Sequence, residues 1–425
     1  MRFPHDHTTG WWHTGKSGRR TAARRRRILN TGRGGILALA VLPLLAVAPA
    51  QAAAGQISEF KLAQGSTGTQ ATAEDGRMAL GSDGDLYVGT GSPATIGRIT
   101  PAGQITQFAD PNAAASNIYV TLEGPDHNVW FADNGSEIGR ITPAGQITMF
   151  GVPQFNGLRV GIVDMAAGPD GDLWFTANAS VTIRRAVTAS LVGRVDPATG
   201  AVSEFAIPSG AALPGAITAG SDGNLWFPEE NLPGVGRVTP SGQVSEFTVT
   251  QGSIGSGPMA LGSDGDLYFG TSTPATIGRI TPAGQVTQFA DPDTSATNVY
   301  LTAAGPDENV WFADDGFGVT SKAGRITPAG QISTFSVPLF DGQPIVGLAA
   351  FAAGPDGDLW FTANAGTIRT VAAGLVGRVD PATGAVTEFA IPSGAAIPGA
   401  ITAGSDGNLW FPEENLPGVA RVTVS

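Results

Sequence analysis

One segment recurs throughout this chain. The pattern G-[SP]-D-x-[DN]-[LV]-[WY]-[FV] begins at Gly81, Gly124, Gly168, Gly220, Gly262, Gly305, Gly354 and Gly404, at spacings of 43, 44, 52, 42, 43, 49 and 50 residues. Each copy is followed by a strand-like stretch such as IGRIT, a turn such as PAGQ and a second strand such as ITQF. A period of about 40–50 residues holding four short strands predicts a β-propeller, in which each unit buries its faces against its neighbours. Composition agrees. Charged residues are only 14%, against 60 Gly and 30 Pro, which suits short strands and tight turns rather than helices.

The fourth unit illustrates the expected strands. Ala216–Ala219 is innermost, a turn at Asp222 and Gly223 leads into Leu225–Phe227, and Val235–Val238 and Val244–Phe247 follow. Apolar and polar residues alternate in the outer strands, as a half-buried sheet requires. The eighth unit ends at Ser425, one strand short, while Gly55–Phe60 (GQISEF) matches the missing outermost strand. Pairing the two leaves no open edge. The expectation is therefore an all-β, eight-bladed β-propeller of four-stranded blades over residues 55–425, closed by the N-terminal strand. Units one to four match units five to eight at offsets of 181 to 186 residues, and Val192–Val235 differs from Val376–Val419 at two of 44 positions. A four-unit half has been duplicated.

Residues 1–52 read as a secretory signal peptide: a basic stretch at Arg24–Arg27, an apolar run at Ile36–Ala50 and a small-x-small cleavage signal at Ala50-Gln51-Ala52. The basic stretch fits a twin-arginine signal and an ordinary n-region alike. The protein is expected to be secreted, with no membrane span in the mature chain, and monomeric. Cleavage leaves 15 basic against 35 acidic side chains, a net of −20. Such a surface repels phosphate backbones, which argues against nucleic acid as a partner. There is no cysteine, and of the four histidines only His127 lies beyond the signal peptide. Disulfides, thiol chemistry and a Ser-His-Asp triad are thereby excluded.

Repetition separates scaffold from site. A residue type found in every unit is expected to be structural. That covers the arginines (Arg98, Arg140, Arg194, Arg237, Arg279, Arg325, Arg378, Arg421), expected to stack on an aromatic or pair with an aspartate of a neighbouring blade. It covers the Tyr/Trp position from Tyr87 to Trp410 and the turn aspartates from Asp83 to Asp406, which bond the turn backbone. The position two residues after the aromatic pair differs. It reads Thr90, Asp133, Ala177, Glu229, Thr271, Asp314, Ala363 and Glu413, acidic only in even units. Asp133, Glu229, Asp314 and Glu413 are thus candidate metal ligands, with Glu230, Asp315 and Glu414 beside them as candidate ligand-binding residues. Gathered carboxylates recruit a cation, and hard ions such as Ca2+ or Mg2+ prefer oxygen. The alternative is solvated loop carboxylates too far apart to share an ion.

The repeat G-P-D-G-[DN]-L-W-F-T followed by I-G-R-I-T-P-x-G-x-[IV]-T-x-[FY] resembles the virginiamycin B lyase (streptogramin lyase) family over nearly all of residues 55–425. The resemblance implies a seven-bladed scaffold. It also implies Mg2+-dependent elimination that opens cyclic depsipeptides, with a histidine base and acidic residues at the channel mouth, and it places the family's LWFTE glutamate there. This chain departs from the pattern twice. It has eight units, and the places matching the family's histidines are Gly215, Met259 and Gly399. His127 sits in a turn expected on the opposite face, as a replacement for glycine. Catalytic residues are therefore unassigned. The expected function is a secreted binding module that holds a small molecule, peptide, glycan or cation at an acidic channel mouth. A streptogramin B lyase-type enzyme is the alternative.

Overall fold

The computed structural model describes residues 53–63, 65, 77–112, 114–134, 136–180, 187–210, 212–315, 321–367, 370–394 and 396–424. The expected signal peptide lies outside the described residues. Among the described residues every regular element is a strand. Among the described residues no helix is long and apolar enough to cross a membrane.

Each repeat folds as an antiparallel four-stranded meander. In the fourth unit the order is Thr218–Ala219, Leu225–Glu229, Gly234–Val238 and Val244–Thr248, from innermost to outermost. The fifth and sixth units are joined into one sheet by a single pairing, Ser272 with Asn298. The eighth unit contains Thr402–Ala403, Leu409–Glu413 and Gly418–Val422. Its fourth strand is the N-terminal Ile57–Lys61, in antiparallel register from Ile57 opposite Val422 to Lys61 opposite Gly418.

The universal residues form one repeated stack. Trp226 lies against Phe247 of the outermost strand at 5.4 Å between ring centroids. The Arg237 guanidinium covers both rings, at 5.2 and 5.1 Å, and donates to the Pro282 carbonyl of the next unit at 3.1 Å. In the eighth unit Trp410 stacks on Phe60 at 5.1 Å, and Arg421 covers both and donates to the Pro101 carbonyl of the first unit at 3.1 Å. Met78, Leu86, Val88 and Ile99 of the first unit share a buried cluster with Trp410 and Val419 of the eighth.

Two scaffold expectations change in detail. The arginines stack on aromatics, but their carboxylate partners lie in the same unit: Arg140 pairs with Asp126 at 3.1 Å and Arg421 with Asp406 at 3.3 Å. The neighbouring unit supplies the proline carbonyl instead. The turn aspartates bond more than the turn. Asp222 Oδ1 accepts from the Asn224 amide at 3.2 Å and from Trp226 Nε1 at 3.1 Å, so one carboxylate fixes both the turn and the buried indole.

Candidate functional site

The second strand of each unit ends where the chain enters the innermost strands, the end expected to form the channel mouth. In even units the acid stands at or one residue before that end. All four acids are buried there: Asp133 is 0% exposed, Glu229 1%, Asp314 2% and Glu413 3%. Alternation along Leu225–Glu229 puts Phe227 and Glu229 on one face of the sheet. Glu229 therefore shares a face with Phe227, and the Glu246 carboxyl of the outermost strand is its acidic neighbour.

Each acid is engaged with its own surroundings. Burial, and then the neighbouring Glu246 carboxyl, raises the Glu229 pKa to about 8. Glu413 bonds Glu59 of the N-terminal strand, and burial followed by that contact raises it to about 7. Burial, and then Asp291, raises Asp314 to about 7, while its Oδ1 accepts from the Lys322 amide at 3.2 Å. Lys322 is ion-paired with Asp293. Asp133 is fully satisfied, by Asn112 Nδ2 at 2.7 Å and the Glu137 amide at 2.9 Å. Glu230 is exposed, Asp315 accepts from Ser321 Oγ at 3.1 Å, and the Glu414 amide donates to the Ile397 carbonyl at 2.8 Å.

Mg2+ at the mouth, implied by the resemblance, does not fit the donor set. Among the described residues no three His, Asp or Glu side chains are arranged to hold a metal ion. The three places matching the family's histidines offer no proton acceptor. A Cβ at Gly215 would stand 2.3 Å from the Ser256 carbonyl oxygen, and one at Gly399 would stand 2.9 Å from both Glu414 Oε1 and Pro412. Met259 is buried. His127 has φ 61° in its turn and an 80% exposed side chain, 3.6 Å from Glu123. Glu308 takes the same turn position in the sixth unit with φ 63°, so this is a turn residue in a place that favours glycine.

An ion pair outside the repeated motif links the innermost strands. Arg77 enters the innermost strand of unit one, and its guanidinium reaches Asp164 on the innermost strand of unit three at 2.9 Å. The other Asp164 oxygen accepts from the Ile217 amide of unit four at 3.0 Å. Thr121 of unit two donates to the Arg77 carbonyl at 2.7 Å. One pair therefore gathers all four units of the first half. The Asp164 side chain is 3% exposed and that of Arg77 is 29%, so a buried carboxylate holds a partly presented guanidinium. The second half has Pro258 and Ala350 in the matching places. Thr302 still donates to the Pro258 carbonyl, at 2.8 Å, so the backbone arrangement persists without the charges. That mismatch between the halves was the available signal.

The model of the virginiamycin B lyase family matches residues 29–252, 185–363 and 303–425. Among solved structures, a streptogramin B lyase is similar at TM-score 0.56 and 20% identity, over 87% of this chain and 98% of that one. Virginiamycin B lyase from Staphylococcus aureus is similar at TM-score 0.53 and 23% identity, over 87% and 99%. A catalytically inactive histidine-to-alanine variant of that enzyme with quinupristin is similar at TM-score 0.52 and 23% identity, over 87% and 99%. No curated protein matches the sequence. At these identities the structures speak for the shared β-propeller fold alone, while the family match spans most of the sequence. The chain belongs to the virginiamycin B lyase family.

Proposed function

We propose that this protein is a secreted, eight-bladed β-propeller, closed by its N-terminal strand, that binds a peptide, glycan or other small ligand at the mouth of its central channel without transforming it. The observation that carries this reading is the Arg77–Asp164 pair, present in one half of a duplicated chain and replaced by Pro258 and Ala350 in the other. A scaffold needs no such asymmetry, since the second half folds without it. A guanidinium held by a buried carboxylate is a preset donor for a ligand carboxylate or carbonyl. Elimination needs a base within reach of the proton it removes. Glycine backbone and the buried Met259 occupy the places where the family's resemblance puts histidine. Repulsion between the acidic surface and phosphate argues against nucleic-acid ligands.

The test is a screen of the mature protein on peptide and glycan arrays, beside an Arg77→Ala/Asp164→Ala double variant. Binding that the variant loses by about tenfold or more, in line with one lost charge-assisted hydrogen bond, supports the reading. Binding that the variant retains in full moves the ligand away from the mouth.

A further inference from the structure

A polar cavity of about 480 Å3 opens between the second and third units. Asp126, Asn128 and Arg140 of the second unit line it, with Asp196, Pro197 and Ala198 of the third. In an antiparallel meander the turn before the second strand and the turn after the third lie at one end of the sheet. The cavity therefore sits at the end away from Asp133. Its volume falls within the roughly 300–1,000 Å3 of small-molecule sites. Two sequence features shape it. Residues 196–201 join the last two strands of the third unit, one residue more than the 142–146 turn of the second. And Asn128 stands where the first and third units have Asp85 and Asp172, which pair with their own arginines at 3.5 and 3.3 Å.

Hydrogen-bond accounting shows what the cavity offers. Asp126 Oδ1 accepts from Trp130 Nε1 at 2.8 Å and from the Asn128 amide at 3.3 Å. Its Oδ2 accepts from Asn128 Nδ2 at 2.8 Å and from Arg140 Nη1 at 3.1 Å, so that carboxylate is satisfied. Arg140 Nη1 gives its other proton to the Pro197 carbonyl at 2.8 Å. Asp196 Oδ1 takes the amides of Ala198 and Thr199, and Oδ2 takes the Thr199 hydroxyl. Among the described residues, that leaves the protons of Arg140 Nη2 to give and lone pairs on Asn128 Oδ1 and Asp196 Oδ2 to fill. The Arg140 side chain is 25% exposed, so a ligand can reach it. An anion would meet Asp126 and Asp196, and a cation would meet the guanidinium. A hydroxyl accepts from the one and donates to the other. Pro125, Pro197 and Ala198 add apolar surface for the C–H face of a ring.

We propose that this cavity binds a neutral saccharide through Arg140, Asn128 and Asp196. The duplication supplies the same side chains a second time, between the sixth and seventh units. Arg325 bonds Asp307 at 2.9 Å and the Pro381 carbonyl at 2.8 Å. Asn309 bonds Asp307 at 2.8 Å and Thr383 bonds Asp380 at 2.7 Å. The same donors and acceptors are left over, so each chain binds one saccharide at each place. Neither place depends on ligand binding at the channel mouth.

Calorimetry of the mature protein with neutral trisaccharides of glucose, mannose, galactose and N-acetylglucosamine tests this. At least one should bind at both places with a Kd of about 1 mM or tighter. Ala198 and Ala382 are exposed and give only their amides to the turns, so an arginine side chain there fills the cavity and leaves the strands alone. Ala198→Arg and Ala382→Arg should each halve the binding heat, and together abolish it. Arg77→Ala/Asp164→Ala should leave it unchanged. Circular dichroism checks folding. Should the arginine variants fail to fold, Asn128→Ala/Asn309→Ala, which removes one acceptor, should weaken binding about fivefold. No heat with any trisaccharide up to about 10 mM, binding that the double arginine variant retains, or binding lost with Arg77 and Asp164 overturns the proposal. Heat with acetyl-trialanine amide and none with the saccharides would show a peptide site in its place.

Discussion

In metal-free buffer the unfolding free energy should fall by roughly 5 kcal/mol between pH 5 and pH 8, from three buried acids each worth on the order of 3 kcal/mol before their partners' offsets. Those acids are Glu229, raised to about 8, and Glu413 and Asp314, raised to about 7. In each, the folded-state pKa lies above the unfolded one. Below about pH 4 both states carry the proton and the contribution is fully present. As pH rises the unfolded chain releases the proton first, so stability falls until the folded-state pKa is passed, and is flat beyond it. Glu59 works against this trend at the eighth unit, because hydrogen bonds from Ser393 and Glu413 outweigh its burial and lower its pKa. Urea unfolding followed by tryptophan fluorescence across this range measures the fall. Glu229→Gln should flatten part of it and raise stability at pH 8, since the amide donates to Glu246 without ionising. A stability that rises steadily from pH 5 to pH 8 would contradict the account.

Removing residues 53–61 should cost more than about 5 kcal/mol, enough to abolish cooperative unfolding in a domain of ordinary stability. The strand fills a place that a hairpin fills in every other unit. Its loss strips a five-residue ladder from Gly418–Val422 and the Phe60 ring from Trp410 and Arg421. It also leaves the Gly103 turn of the first unit without the ring it packs on, where a Cβ at Gly103 would stand 2.0 Å from Phe60. The bared edge is a template for pairing with other chains. The truncated protein should melt at least about 10 °C lower, or be recovered as aggregates, in differential scanning calorimetry and size-exclusion chromatography. Phe60→Ala alone should cost about 2–3 kcal/mol, below the range for a fully buried ring because Phe60 is only partly buried. A truncated protein that melts within a few degrees of the full chain would show that the strand is dispensable.

The units were legible because their turn chemistry is written out eight times, and a Gly-Asp turn before a Trp-Phe pair leaves little choice of strand boundary. GQISEF copies a segment found in other units, and Ile57–Lys61 pairs with Gly418–Val422. The acids of the even units were legible as a departure from the repeat, but their burial was not. Alternation fixes which face Glu229 takes. What decides its direction is the missing side chain at Gly234, which opens a path to Glu246 that no single-residue pattern reveals. Arg77 and Asp164 were missed because they lie 87 residues apart in sequence and belong to no repeated motif. Only comparison of the two halves, Arg77 against Pro258 and Asp164 against Ala350, marks them. The arginine ladder was recognised as scaffold, but its link to the next unit runs through a backbone carbonyl, and sequence patterns carry little about backbone acceptors.

The most direct test of binding without elimination is incubation of the mature protein with quinupristin and excess Mg2+, followed by chromatography for the linear product. The family's histidine places hold Gly215, Met259 and Gly399, and no three His, Asp or Glu side chains gather to hold a metal ion among the described residues. The cyclic compound should therefore remain intact at the rate of a protein-free control. Linear product formed faster than in that control would contradict the account and return the protein to the lyases of its family.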